Sequence, residues 1–378
     1  MATAAGSVAG MDGASAIVRD EGRWLEARNP VAFVRADGAE AFAALDTMAC
    51  DGFWVGYCAY DLGRAVEPVP IRAADDLDLP DLVFVRFAEV REIPMPSGPP
   101  VSLGAARSSL DRDEHTAAVD AIHALLEAGD CYQVNLTRRL GFDATPDPHA
   151  LFAALMAVNP SPHAVCCVLG TALPGVAVVS ASPELYLGLE GDTVTTRPIK
   201  GTASDASTLA ASAKDRAEHV MIVDLARNDL GRVCRPGTIR VPDLCAIEAH
   251  PGLHHMVSTV VGDRRADASL GDVVRATFPP ASVTGAPKPR VLRAIEELEP
   301  VRRGVYCGAV GWIDGTAGRA RLSVAIRTFT VTPTGTSLGV GGGIVADSDA
   351  AAEWAETELK AARLLAAVGG REREPVPA

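Results

Sequence analysis

The sequence predicts an α+β fold with antiparallel sheets, and two observations carry that expectation. Strand-like stretches arrive in runs, as where ARLSVAIRTFTVT is followed almost at once by SLGVGGGIVA, and the long helix-patterned stretches do not alternate with them one for one. A doubly wound parallel sheet needs that alternation, because every parallel pair requires a crossover.

In chain order, residues 1 to about 20 are expected to be loose. From Val31 to about Ala105, apolar runs such as FWVGYCAY and LVFVRFAEV are separated by Pro- and Gly-bearing turns and end at EIPMPSGPP. This predicts a β-rich section over 1–106 closed by a linker. DRDEHTAAVDAIHALLEAGD then carries apolar residues at helical spacing, with Gly129 as its stop. YQVNLTRRLGFDA, AVVSASPELYLGLE, TVTTRPI and VYCGAVGWID read as strands, and helices are expected over about 209–228, 288–298 and 350–368. The core is placed at 107–370, with 371–378 as a flexible tail.

With 378 residues the chain can bury a sizeable core, and 48% hydrophobic against 22% charged residues describes a globular protein. A net charge of −13 without a basic cluster argues against a nucleic-acid partner. The eight cysteines are scattered without a C-x-x-C pair, so they read as reduced thiols. Cys166 and Cys167 sit in an apolar run as small buried hydrophobes. The start of the chain lacks the basic and apolar parts of an export signal, and no apolar run approaches the roughly 20 residues that cross a bilayer. A cytoplasmic location without membrane contact is expected.

Several residues stand where chemistry could occur. In TTRPIKGTA, Pro198 and Gly201 flank Lys200, which is expected where a strand gives way to a loop and its side chain is aimed. Asp215 and Glu218 share one side of a helix at a spacing of three, and Glu353, Glu356 and Lys360 repeat the arrangement at three and four. Carboxylates from two helices suit a hard cation such as Mg²⁺, although such pairs are also common on solvated helix faces. The glycines of SLGVGGGIVAD could expose backbone N–H groups to an anion or simply form a hairpin, and they match no nucleotide-binding motif. Arg327 interrupts an apolar strand and needs a partner such as a substrate carboxylate. Glu184 follows Pro183 at a strand, where a part-buried carboxyl can act as a general acid. His255 opens another strand-like run.

Taken in order, SPELYL, TRPIKGT, AEHVMIVDLARNDLGRV, HMVSTVVG, FPPASVTGAPKPR, YCGAVGWI, AIRTFTV and GGGIVADSDAAAEWAETELKAARLL resemble the chorismate-utilising enzymes over roughly 112–365. The resemblance implies a large α+β chorismate-binding domain of packed antiparallel sheets flanked by helices. It implies Mg²⁺ held by Glu218 and Glu356, with Asp215 and Glu353 assisting, against the ring carboxylate of chorismate. Arg327, Tyr306 and the backbone of Gly341, Gly342 and Gly343 would hold the enolpyruvyl carboxylate, and Thr202, His255 and Lys360 would line the pocket.

Within that family two positions separate reaction types. Gln133 stands where isochorismate and salicylate synthases resemble a YxKV pattern whose lysine activates water, and a glutamine cannot serve as that base. Lys200 in PIKGT, where anthranilate synthases carry alanine, is similar to the aminodeoxychorismate synthase component I pattern. The implied reaction attaches Lys200 to C2 of chorismate, with Glu184 protonating the departing 4-hydroxyl and ammonia adding at C4. No G-x-C-x-G nucleophile segment appears, so a separate glutamine amidotransferase subunit is expected to supply ammonia. Pro280 and Ala281 depart from the usual FPxGS pattern, and no L-L-E-S regulatory motif is present. Anthranilate synthase component I is the alternative, and an inactive scaffold binding an anion or an amidotransferase is a further one.

Overall fold

A computed structural model describes residues 12–203, 205–250 and 253–373. Its strand pairs are antiparallel except for Gly370–Glu372 against Gly104–Ser108. One continuous ladder runs from Arg240–His250 through Leu253–Asp263, Thr193–Arg197, Leu185–Glu190, Arg319–Val324, Ala309–Asp314, Phe53–Cys58 and Leu82–Ile93. It continues through Arg23–Ala36, Ala14–Asp20, Val165–Leu169, Ala177–Ser180, Thr328–Thr332 and Gly335–Ile344 to Gln133–Phe142. The ladder folds back on itself: Cys167 Sγ comes within 3.7 Å of the Val55 carbonyl oxygen, although other strands separate the two along it.

Alternating side chains from the facing parts, Val55, Tyr57, Val83 and Val85 with Val18, Val165 and Cys167, make a dry inner core. Helices Glu40–Met48, Arg112–Glu127, Leu270–Thr277 and Lys288–Leu298 bury Phe42, Ile122, Val274 and Val291 in a second core. Helices Pro148–Val158 and Ala350–Ala367 bury Phe152, Leu364 and Leu365 over Leu140, Phe329 and Leu338 in a third. The α+β class with packed antiparallel sheets and flanking helices is therefore the observed one. Among the described residues no helix is long and apolar enough to cross a membrane.

Local chemistry sets the helix bounds. Asp111 and Glu114 form a reciprocal capping box at the start of Arg112–Glu127, and Gly129 takes a φ of +74° just past its end. Asp349 caps Ala350–Ala367 by accepting from the Ala352 N–H.

The structure differs from expectation at several places. Ala14–Asp20 is a strand with Ala16 and Val18 buried, so the first twenty residues are not uniformly loose. Residues 1–11 lie outside the described residues. The 1–106 stretch shares the main ladder, through Phe53–Cys58 against Ala309–Asp314. Of the expected tail, Gly370–Glu372 is a strand anchored by Arg138 to Glu372, and 374–378 lie outside the described residues. The helix expected over 209–228 is two, Ala206–Ala211 and Ala213–Gly231, because the Ser212 side chain caps the second by accepting from the Asp215 N–H. AVVSASPELYLGLE is two strands broken at Pro183, and ARLSVAIRTFTVT breaks at Arg327, whose φ is +51°. The short helices Glu40–Met48, Pro148–Val158 and Leu270–Thr277 were not expected, although Pro148 after the Asp147 cap and the Ser269–Asp272 capping box mark the starts of two of them; Glu40–Met48 has no side-chain cap.

Candidate active site

Lys200 lies inside the strand Ile199–Ala203, paired with Leu253–Asp263 in the register Lys200↔Met256 and Thr202↔His255. The strand does not end at Lys200, which corrects the expectation; it is irregular there instead. Gly201, at the irregularity, has a φ of +77°, and a β-carbon on it would press to 2.9 Å from Leu209 and 3.1 Å from Asp215. Such a bulge re-aims side chains. It seats this strand against Asp215 in the first turn of the Ala213–Gly231 helix, one turn before Glu218.

Lys200 is half-buried, and its ammonium lies within electrostatic reach of Glu184, Glu218, Glu356 and Lys360. Burial lowers its pKa, the Lys360 charge lowers it further, and the three carboxylates oppose without reversing the direction. Glu184 is buried in the break after Pro183. Burial pushes its carboxyl up to about 7, outweighing the opposing pulls of Ser282, Lys200 and the Ile199 backbone N–H. An amine easier to deprotonate thus neighbours a carboxyl that holds its proton near neutrality, the pairing that nucleophile-and-acid chemistry requires.

Thr202, His255 and Arg327 form a chain of contacts. His255 Nδ1 is 2.9 Å from Thr202 Oγ1, and Arg327 Nη2 is 3.4 Å from His255 Nε2. A guanidinium can only donate, so Nε2 is the acceptor and Nδ1 carries the proton toward Thr202. Burial first, then Arg327 and His250, push the His255 pKa down to about 3, which keeps the ring neutral. Burial also lowers Arg327 to about 10, and its positive φ turns it out of the strand line.

The helix Ala350–Ala367 faces the glycine-rich strand Gly335–Ile344. Lys360 Nζ donates to the Gly341 carbonyl oxygen at 2.8 Å and lies 2.6 Å from Glu356 Oε1. In a strand a residue's N–H and C=O leave on the same edge, so the Gly341 and Gly343 N–H groups point away from the Gln133–Phe142 partner. The partner residues agree: the Thr137 N–H donates to Glu299 and the Asn135 N–H to the Thr284 carbonyl, not to the glycines. The glycines are therefore extended donors on an edge and not a folded nest or a hairpin tip. A β-carbon on Gly342 would lie 3.0 Å from Glu353 Oε2 and 3.6 Å from Glu356 Oε1. Glycine there lets both carboxylates approach the strand.

Gln133 is fully buried, donates from Nε2 to Asn135 Oδ1 at 3.0 Å, and leaves its Oε1 without a partner among the described residues. Tyr306 packs its ring on Gly339 and lines a cavity of about 10 Å³ with Glu299 and Arg303. Another cavity, of about 30 Å³, extends from Glu184 past Ile222 and Ala226 to Asp229.

The four acids approach from two helices. Burial raises Glu218, with Asp215 and Glu356 adding to the rise and Lys200 and Lys214 opposing it. Burial raises Glu353, whose Oε1 accepts from Ser348 Oγ at 2.6 Å. Burial would raise Glu356 too, but Lys360 prevails and its pKa is lowered. Among the described residues no three His, Cys, Asp or Glu side chains converge closely enough to enclose a metal ion. The donor set nevertheless fits a hard divalent cation: it is all carboxylate oxygen, two of its members face the Gly342 space, and the repulsion around Glu218 would be relieved by positive charge.

Ser348, Ser282 and Asn135 escaped the sequence reading. Asn135 lies within the strand Gln133–Phe142, Ser282 in the one-turn helix Ala281–Val283 and Ser348 in a loop, and only the position of Ser348 just before the Asp349 cap could have drawn notice.

The model of the chorismate binding enzyme family matches residues 3–366. Aminodeoxychorismate synthase component 1 of Klebsiella aerogenes is 38% identical over 347 residues, covering 82% of this chain and 76% of that protein. Anthranilate synthase component 1 of Mycolicibacterium smegmatis is 34% identical over 372 residues, covering 83% and 71%. Among solved structures, anthranilate synthase component I from Streptococcus pneumoniae superposes with a TM-score of 0.77 at 24% identity, over 95% of this chain and 93% of that one. The fold, the near-complete family match and these relatives agree: the chain belongs to the chorismate-binding enzyme family.

Proposed function

We propose that this chain is a Mg²⁺-dependent aminodeoxychorismate synthase component I, converting chorismate and ammonia to 4-amino-4-deoxychorismate with release of water. The observation that carries the proposal is Lys200, whose ammonium pKa is lowered beside Glu184, a carboxyl raised to about 7. Neutral Lys200 Nζ attacks C2 of the ring, the double bonds shift, and the C4–O bond breaks as Glu184 gives its proton to the departing hydroxyl. Ammonia then adds at C4, the C2–N bond breaks, and the lysine leaves as the amine while the enolpyruvyl group is retained.

Glu218 and Glu356, with Glu353 and Asp215, would hold Mg²⁺, which when bound neutralises the ring carboxylate. Lys360 would release Glu356 to do so. Arg327, kept in place by neutral His255, offers a guanidinium to the second carboxylate, and the Gly341 and Gly343 N–H groups add donors. Buried Gln133 has no basic lone pair on nitrogen with which to activate water. A separate glutamine amidotransferase would supply ammonia, in keeping with the "component 1" names of the relatives.

Incubation with chorismate, MgCl₂ and an ammonium salt at alkaline pH should give 4-amino-4-deoxychorismate without pyruvate. Pyruvate together with fluorescent anthranilate would overturn the proposal. That second reading, anthranilate synthase component I, is favoured by relatives so named at 33–40% identity, a range that overlaps that of the aminodeoxychorismate synthase relatives, and is opposed by Lys200. Absence of any chorismate binding by calorimetry would instead leave a scaffold.

A further inference from the structure

Arg138 lies on the strand Gln133–Phe142, and its side chain is 0% exposed. It is wholly enclosed by the helix that bears the candidate acids and by the strand Gly370–Glu372. Nε donates to Thr357 Oγ1 at 2.9 Å, and the guanidinium carbon sits 4.2 Å from the centre of the Trp354 ring. Nη1 and Nη2 grip the two oxygens of Glu372 at 2.7 and 3.0 Å, and Nη1 also donates to Ser108 Oγ at 3.2 Å. Ser108 belongs to Gly104–Ser108, the strand against which Gly370–Glu372 pairs in parallel.

Trp354 and Thr357 follow Glu353 and Glu356 by one position each. Successive helical residues are turned by about 100°, so holding Trp354 and Thr357 fixes which way the acids face. Thr357 is itself held, its hydroxyl donating to the Trp354 carbonyl at 2.8 Å. The ring of His115, from Arg112–Glu127, meets Trp354 edge-on at a centroid distance of 5.4 Å. Beside the core packing of Leu364 and Leu365, the Arg138 guanidinium is the contact that holds Trp354 and Thr357 on this side of Ala350–Ala367, and that buried cation is neutralised by a carboxylate from a different strand.

We propose that Glu372 is a positioning residue for the active site, acting through Arg138 to hold the Ala350–Ala367 helix in the rotation that turns Glu353 and Glu356 toward Gly342. The inference deepens the proposed function, on whose metal assignment its kinetic consequence rests. Removing the Glu372 charge leaves Arg138 short of its counter-ion, and the guanidinium must shift toward water, drawing away from Trp354 and Thr357. The acids then lose their common orientation although no residue that touches substrate has changed.

The test compares the full-length chain with Glu372→Gln and Glu372→Asp, the latter keeping the charge. Amide hydrogen exchange is followed in the peptides of 350–367, with 288–298 as the internal reference, and turnover of chorismate is titrated with Mg²⁺ alone. Expected for Glu372→Gln is at least tenfold faster exchange across 350–367 with the reference unchanged, and about a tenfold higher half-saturating Mg²⁺ concentration with kcat at saturation within about twofold. Glu372→Asp should recover most of both. Exchange that rises equally in both helices, or a lowered kcat with an unmoved Mg²⁺ midpoint, would mark Glu372 as merely structural and overturn the inference. If the wild-type chain aminates no chorismate, the proposed function fails, while the exchange comparison still decides whether Glu372 holds this helix.

Discussion

Arg327 Nη2 lies 3.4 Å from His255 Nε2, and this contact fixes both the tautomer of the ring and the direction of the guanidinium. Because the His255 pKa is pushed down to about 3, the ring is a neutral acceptor throughout the physiological range. It restrains Arg327 without competing for the anion that Arg327 would bind.

His255→Ala should therefore weaken substrate binding more than chemistry. A hydrogen bond to a charged group contributes about 1.5–3 kcal/mol, so KM for chorismate is expected to rise roughly tenfold or more with a smaller change in kcat. In the wild type, KM should show no inflection near pH 6.5 attributable to this ring. Steady-state kinetics checks both points, and a fall in kcat at constant KM would place His255 in the chemical step instead.

Glu184 makes stability depend on pH in a definite direction. Its carboxyl is near 7 in the folded chain against an ordinary 4.5, so between those values the folded state retains a proton that the unfolded state has lost. The stabilisation is complete below about pH 4.5 and is lost as pH rises to about 7, by roughly 3 kcal/mol in all. Glu184→Gln has no proton to lose and should lack that decline. Denaturant titrations at pH 5 and pH 8 on both chains check it; identical pH dependence in the two would refute the raised carboxyl.

Gly343→Ala tests the crowding around Gln133. The added β-carbon would stand 2.7 Å from Gln133 Nε2 and 2.8 Å from Asn135 Oδ1, both buried. Overpacking of this kind costs about 1–3 kcal/mol, and the displaced amides should also reduce turnover. Thermal unfolding and activity of the variant would both remain at wild-type levels if the space were larger than it is.

Much of this arrangement was legible in the residues themselves. The acid spacings on 213–231 and 350–367 were helical because those segments are rich in helix formers, and Lys288–Leu298 has the expected bounds. What could not be read was the meeting of distant segments. No local pattern reports that Gly342 must be bare to admit Glu353 and Glu356, or that Arg138 and Glu372 close on each other. Lys200 was expected at a strand end because proline and glycine punctuate chains, yet Leu253–Asp263 supplied a partner that carried the strand through the bulge. Glu184 was expected to be part-buried at a strand, and its full burial depends on packing from Ser282 and other segments remote in the chain.

The nucleophilic role of Lys200 is tested most directly by peptide mapping of the chain after incubation with chorismate and Mg²⁺ in the absence of ammonia. The predicted result is a mass increase on the Lys200 peptide equal to chorismate less one water, absent in Lys200→Ala and discharged as 4-amino-4-deoxychorismate when ammonium is added. An unmodified peptide from wild-type enzyme that nevertheless aminates chorismate, with Lys200→Ala turning over at the same rate, would contradict it.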